Sequence, residues 1–385
     1  MITGVSLPAG VRVAPAFSLA LQGKDITQNI SKRLLSLSLT DNRGFAADQL
    51  DIELDDSDGL VVMPQRNAVL SLSLGWEGSP LTPKGQFTVD EVEHRGAPDT
   101  LTIRARSADF TGSLNMRRET SYHDTTLGNI VTQVAGRNKL RAKVAAELDA
   151  VKVGHIDQTQ ESDAAFLTRL AGLNGAVAAV KNGYLLFMKP GNGLSVNGKP
   201  MPMFTISRQD GDSHTFSIAD RDAYTGVTAS WLNTKKPKPK KVKLKRKAKQ
   251  EHLRALQHPK AKPTKKKAAK PAEEAKGDYL AGSADNVFTI TTLYATKAAA
   301  MRAAQAKWEK LQRGVAEFSL SLAMGCADIV PETPVQVSGF KAVIDAQGWL
   351  VSKVTHNVSG SGFTTDLELE VLLSDVSYDV SMREL

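Results

Sequence analysis

The residues of this chain best suited to acid–base, nucleophilic or zinc chemistry are seven histidines and one cysteine, and their spacing excludes most of that chemistry. His94, His123, His155, His214, His252, His258 and His356 are scattered, and no two stand four apart with the Glu base of a zinc-binding helix. Each reads as a surface or satisfied core histidine. Cys326 stands alone, so it can form neither an intramolecular disulfide nor a multi-cysteine metal site. No G-x-S-x-G nucleophile elbow is present. Asp55–Gly59 (DDSDG) cannot be a calcium loop, because Gly59 at loop position six would put Leu54 and Gln65 where the first and last carboxylates are needed. It reads as a strand-connecting turn. Gly191–Gly198 (GNGLSVNG) lacks the spacing that brings backbone amides to a pyrophosphate and follows Pro190 instead of opening a helix. With 41 acidic residues, a carboxylate pair for glycoside hydrolysis could be picked anywhere, so their presence carries no information. The expectation is a protein that is not an enzyme and needs no cofactor or metal.

What remains is charge. Residues 235–276 hold 18 Lys+Arg against 3 Asp+Glu, a local +15 in a chain of net +8, which leaves the rest at −7. The stretch has five prolines and no aromatic residue, so it buries too little apolar surface to offset its ordering entropy and reads as a linker or long loop. Leu244, Leu253 and Leu256 could support a short helix within it, ended by Pro259. Lys240, Lys241, Lys243, Lys245, Arg246 and Lys247 are its candidates for an electrostatic contact with an acidic partner surface. Phosphate binding is the rival use; the absence of stacking aromatics and the scarcity of Arg argue against base reading.

The elements that must position these residues are mostly strands. RLLSLSLT places Leu35, Leu37 and Leu39 on one face, and QLDIELD does the same with Leu50, Ile52 and Leu54. VLSLSLGW, QFTVDEVEH and TLTIRARSA continue the series, so residues 1–112 read as one barrel-like β domain. The period then changes. Leu127, Ile130, Val131 and Val134 fall at helical spacing after a cap at Asp124 or Thr125, with Gly136 as the stop. A second helix is expected in ESDAAFLTRLAGLNG, followed by a hairpin turning at Asn182-Gly183, so 113–200 read as a small α+β domain. Strands return over 201–234 and 277–385 as a second barrel-like β domain, interrupted by the basic stretch and carrying a helix from Thr296 to Gly314 with Met301, Ala304, Trp308 and Leu311 on one face. GFAADQLDIEL and GFTTDLELEVLL share Gly-Phe-x-x-Asp ahead of an alternating strand, which would mark a duplication of the β domains. The expected class is mainly β: two barrel-like antiparallel β domains with an α+β insertion.

At 385 residues, 41% apolar and 23% charged, the chain is long enough for several cored domains. No apolar run reaches the roughly 18 residues of a membrane span, and the first residues lack a signal-peptide pattern, so synthesis and folding in a cytoplasm are expected.

In order along the chain, SYHDTTLGNIV, HIDQTQESDAAFLTRLAGLNGAVA, KWEKLQRGVAEFSLSL and PETPVQVSGF resemble the late control protein D family of contractile-tailed bacteriophages. They are also similar to the N-terminal hub part of the valine-glycine-repeat spike proteins of type VI secretion. The motif ESD-x-x-FL-x-RL contributes Glu161, Ser162, Asp163, Phe166, Leu167, Arg169 and Leu170. The resemblance implies a baseplate hub in the virion tail: a homotrimer whose barrels mate with the sixfold tail tube, the threefold central spike, the tape-measure protein and other baseplate proteins. A nucleic-acid-binding regulator acting through the basic stretch is the alternative.

Overall fold

The structure, a computed structural model, describes residues 2–4, 13–107, 113–181, 183–191, 195–218, 224, 226–232, 239–246, 286–372 and 378–384. Its first part contains β1 (Ile2–Gly4), β2 (Pro15–Leu21), β3 (Lys24–Asp25), helix α1 (Thr27–Ser31), β4 (Leu34–Asn42), β5 (Gln49–Asp55), β6 (Val69–Trp76), β7 (Thr82–Arg95) and β8 (Thr100–Ser107). All but β1 pair in the order β4-β5-β8-β7-β6-β2-β3. Alternation explains their core: Leu50, Ile52 and Leu54 are each fully buried. Leu35 departs from the expected face. The β4·β5 register shifts between Leu34 and Ser36, and this bulge leaves Leu35 43% exposed while Leu37 and Leu39 stay inside.

The α+β unit follows with β9 (Arg117–Thr126), α2 (Leu127–Arg137), β10 (Arg141–Val144), α3 (Ala146–Asp149), β11 (Lys152–Ser162), α4 (Asp163–Asn174), β12 (Val177–Lys181) and β13 (Tyr184–Met188). The cap of α2 is Thr126, whose hydroxyl accepts from Asn129 N at 3.2 Å, rather than Asp124 or Thr125, and the helix runs past Gly136 to Arg137. Ser162 caps α4, and Gly175 ends it at φ 64°, a left-handed conformation that suits glycine. Leu127, Ile130, Val131, Val134, Phe166, Leu167, Leu170 and Phe187 form one core, with Tyr122 and Phe166 stacked at 5.5 Å.

The last part comprises β14 (Met203–Ser207), β15 (Gly211–Ile218), β16 (Gly226–Leu232), β17 (Pro239–Arg246), β18 (Val287–Tyr294), α5 (Lys297–Arg313), β19 (Ala316–Leu322), β20 (Pro334–Ser338), α6 (Ala342–Asp345), β21 (Gly348–Ser359), β22 (Gly362–Val371) and β23 (Tyr378–Glu384). Two results depart from the sequence reading. First, β16, β17, β18 and β23 form a separate four-stranded sheet, order β18-β16-β17-β23, on which α5 packs Ala300, Ala304, Trp308 and Leu311. Met301 is only half-buried, and Ala300 takes the inward position expected of it. Second, the stretch read as a loop over 235–276 begins with a strand. β17 is hydrogen-bonded on both sides, to β16 and β23, and Leu244, assigned above to a helix, lies within it; residues 247–258 of that helix fall outside the described residues. Density of lysine, with Pro237 just before the strand and Pro239 opening it, masked it, although Val242 is fully buried.

The remaining strands build a second barrel-like sheet that repeats the first in chain order. The path β4-β5-β8-β7-β6 corresponds to β15-β19-β22-β21-β20, and two of the register irregularities coincide, while the β6·β7 shift at Leu72/Ser73 has no counterpart in β20·β21. The β4·β5 bulge at Leu34/Ser36 matches that of β15·β19 at Gly211/Ser213, and the β7·β8 bulge at Val89/Glu91 matches that of β21·β22 at Val351/Lys353. The two differ at the next position, where β2 runs antiparallel to β6 but β14 runs parallel to β20. The shared Gly-Phe-x-x-Asp is not the mark of this repeat: it precedes β5 in one sheet and opens β22 in the other, and β22 corresponds to β8. β1, expected in the first barrel, pairs with β14 of the second.

Candidate interaction surfaces

Among the described residues no three His, Cys, Asp or Glu side chains are grouped to hold a metal, and no helix is long and apolar enough to cross a membrane. The polar residues cluster in three places.

The first is the ESD helix. Asp163 is completely buried, yet its carboxylate accepts from Arg137 Nε at 2.9 Å, Asn138 Nδ2 at 2.7 Å and Gln158 Nε2 at 2.8 Å, with a further bond from Arg137 Nη2 and Arg118 Nε 3.4 Å away. A buried carboxylate is tolerated only when ringed by donors in this way. Glu161 clasps Arg169, with Nη2–Oε2 at 2.8 Å, and Arg169 also donates to the Asp157 carbonyl at 2.7 Å while lying over the Phe166 ring. Phe166, Leu167 and Leu170 face the core. All seven motif residues thus belong to one construction: Ser162 caps, Asp163 ties the helix start to α2 and β11, and the apolar residues seat it. Beside the helix start opens a groove of about 640 Å³ whose wall includes Arg117, Asp157, Glu161 and Arg169. On the same ribbon, β9 and β11 bring together His123 and His155, 3.1 Å apart between Nδ1 atoms, with Asp157 3.0 Å from His155 Nε2. Thirty-two residues separate these histidines in the chain; a strand pairing juxtaposes them, and linear spacing could not reveal it.

The second place is the joint between the barrels. β21 pairs with β20 over Gly348–Leu350 and, beyond its bulge, with β4 over Lys353–Ser359, so one continuous sheet runs through both barrels. Trp76 Nε1 donates to the Gly325 carbonyl at 2.8 Å and Thr82 Oγ1 to Asp328 at 2.6 Å. The Trp76 ring packs on Phe363 at 5.4 Å. Gly325 is required there, because a Cβ would lie 2.4 Å from the buried Phe363 ring. Arg43 is ion-paired with both Glu332 and Glu370, the latter at 2.6 Å, and Arg313 of α5 lies 3.3 Å from Glu370. Burial pushes the Glu332 carboxyl above its usual range, against the pull of Arg43. Lys181, from the α+β unit, reaches Asp41 at 2.8 Å and also Asp48; burial opposes its charge, but the two carboxylates hold its pKa above that of an ordinary lysine. Sequence reasoning singled out none of these residues. Their partners lie up to 327 positions away.

The third is the basic strand. Lys240, Lys241, Lys243, Lys245 and Arg246 occupy β17 at the centre of the four-stranded sheet, and Lys247 falls outside the described residues. The six therefore do not form one continuous loop.

These features accord with the comparisons to known proteins. The family model for the phage tail baseplate hub (GPD) matches residues 42–362. The chain is 66% identical over 383 residues to the probable baseplate hub protein of Escherichia phage 186, with 98% of each covered. It is 64% identical over 387 residues to that of Escherichia phage P2, with 100% of each covered. Among solved structures, a tail protein of Neisseria meningitidis MC58 superposes with a TM-score of 0.61 at 14% identity, over 93% of this chain and 96% of that one. The E. coli c3393 protein, a component of the type VI secretion system, shares the fold with a TM-score of 0.50 at 12% identity, over 93% and 77%. The VgrG-like expectation is met in the fold as well, by the Francisella PdpA–VgrG complex at a TM-score of 0.51. With the family model spanning most of the chain and curated relatives 64–66% identical over nearly its whole length, the chain is a member of the phage tail baseplate hub family.

Proposed function

We propose that this baseplate hub protein acts as a non-enzymatic, trimeric symmetry adaptor of a contractile phage tail or tailocin, joining the sixfold tail tube to the threefold central spike and contacting the tape-measure protein. The observation that carries the reading is the in-order repeat of one barrel in the other, with two bulges in matching places. Three copies of a chain with two like barrels present about six similar surfaces to a sixfold tube while keeping threefold symmetry towards a spike. The joint supports it further. A sheet that continues through both barrels, with Arg43 of the first paired to Glu332 and Glu370 of the second, holds the two barrels of a chain in one orientation. The basic stretch serves as an electrostatic contact to an acidic surface of the tail.

Native mass measurement at micromolar concentration, with and without the cognate spike protein, tests the reading. A trimer is expected in at least the second condition. A stable monomer or dimer in both defeats it.

A further inference from the structure

The ribbon of β9 and β11 carries polar chemistry that the hub role does not use. His123 and His155 are directly opposed on it, and Ser121 and Asp157 form the opposed pair two residues further along the same face. The other face of the ribbon holds Tyr122 and Gln158, both buried, whereas His123, His155 and Asp157 are exposed.

Hydrogen bonding sets what lies between the two rings. His155 Nε2 is 3.0 Å from the Asp157 carboxylate, which can only accept, so a neutral His155 carries its proton on Nε2 and presents a bare Nδ1. That Nδ1 is 3.1 Å from His123 Nδ1. The space between them holds either one proton, donated by His123, or one ion. Two imidazole nitrogens bound tetrahedrally to zinc, each at about 2.0–2.1 Å, stand about 3.3 Å apart, so strand pairing alone brings both ligands close to chelating separation. The rings lie nearly face to face, with centroids 4.6 Å apart and 25° between their planes, and both must turn about Cβ–Cγ to aim their lone pairs at one ion. Solvent on both leaves room for that turn: the His155 side chain is 54% exposed, and His123 is exposed as well. The carboxylate behind His155 is the outer partner that fixes the tautomer and raises the basicity of metal-bound histidines.

We infer that His123 and His155 together bind one divalent transition-metal ion through their Nδ1 atoms, with Asp157 orienting His155 from behind. Paired imidazoles select zinc, nickel or copper over magnesium and calcium, which require oxygen donors. Among the described residues no third His, Cys, Asp or Glu joins the pair, so the remaining coordination positions are taken by solvent. The ion would act as a clip. Among the described residues β9 and β11 pair only with each other, and their register shifts between Gln158 and Glu161, just where the ribbon supplies the partners that seat α4. Two-stranded ribbons are marginal on their own, and a cross-strand ion ties the regular part of this one together. The site is complete within one subunit and does not depend on the trimeric reading.

The test uses the full chain without a histidine tag, stripped of metal by a chelator. Calorimetric titration with zinc chloride should show one ion per subunit. His123→Ala or His155→Ala should each weaken that binding at least about tenfold, because attachment at two points is lost. Asp157→Asn should weaken it by about tenfold with the stoichiometry kept. Saturating zinc should raise the thermal unfolding temperature of the parent and leave that of His123→Ala where it is. The three side chains are exposed, so in chelator the variants should unfold with the parent. A further check needs no variant: copper bound to the parent in place of zinc should show hyperfine splitting from two imidazole nitrogens in its electron paramagnetic resonance spectrum. No binding at millimolar zinc, binding that survives both histidine changes, or a copper spectrum with fewer than two nitrogens overturns the site, and unchanged affinity in Asp157→Asn overturns the part given to the carboxylate.

Discussion

Two buried charged clusters hold this molecule together, and they are built on opposite plans. Around Asp163 one carboxylate is enclosed by donors from α2, β9 and β11, all within 45 residues of it. At the joint, Arg43 is matched to Glu332 and Glu370, about 290 and 327 residues along the chain, with Arg313 sharing Glu370. The first cluster decides how one helix sits inside one unit. The second decides how two units sit against each other. Local construction leaves a readable motif, because neighbours in space are neighbours in sequence. Long-range construction leaves isolated residues with no pattern around them.

The contrast can be broken most forcefully at Asp163. Asp163→Ala should cost about 3–5 kcal/mol, because it leaves the Arg137 charge without its buried counter-ion and takes one acceptor from each of Arg137, Asn138 and Gln158. Urea unfolding should show the loss as a destabilised α+β unit. A cost below about 1 kcal/mol would mean the neighbours re-pair with water and the cluster is not what seats α4.

Arg43→Met should cost less, about 2 kcal/mol, since Arg313 still offsets Glu370 after the change. Adding Glu332→Leu should return most of the loss, because it removes the carboxylate that Arg43 had compensated. If the double change is worse than the single one, Glu332 is held by its bond from Gly191 N at 2.9 Å and not by Arg43.

The finest distinction is pH. His356 lies at the joint, completely buried, donating to or accepting from Thr365 Oγ1 at 2.9 Å, and burial, with the Lys84 charge beside it, holds its pKa well below that of a free histidine. The folded state therefore keeps it neutral while the unfolded state takes up a proton below about pH 6.5. Its contribution is intact above that value and falls by about 1.4 kcal/mol for each pH unit below it. Unfolding free energies of the parent and His356→Gln between pH 7.5 and 5 should diverge in slope by this amount, and parallel curves would show that His356 does not titrate on unfolding in that range. The variant comparison is needed because Glu332, with its carboxyl pushed up by burial, contributes in the opposite sense at lower pH.

These clusters also show what could be read in the sequence. Period-two alternation located β5 and β6, and 3.6-residue spacing located α2, α4 and α5, because each of these elements buries one regular face. Leu35 was misplaced because a bulge breaks alternation without changing composition. β17 was missed because its lysines outweighed Val242 and Leu244 in any composition-based reading. The true repeat of the barrels was hidden as well. It is carried by bulge positions and strand order, which constrain backbone geometry and leave side-chain identity nearly free, whereas Gly-Phe-x-x-Asp recurred at strands that do not correspond. Of the site residues, the ESD helix was legible and the joint was not.

The pairing of β4 with β21 also sets a clock. Residues 36–42 lie against residues 353–359, so the first barrel cannot acquire its final neighbour until nearly the whole chain has left the ribosome. At about 5–20 residues per second, the β4 edge waits roughly 15–60 s after its own synthesis. Throughout that interval β4, paired to β5 on one side only, is an open edge strand, and on a polysome it stands close to other nascent copies in the same condition. The β21 segment that finally reaches it can come from its own chain or from the neighbour ahead, and the two outcomes make the same hydrogen bonds. What favours the chain's own strand is proximity: the α+β unit, tied by Lys181 to Asp41 at the end of β4, lies between β4 and the second barrel in chain order.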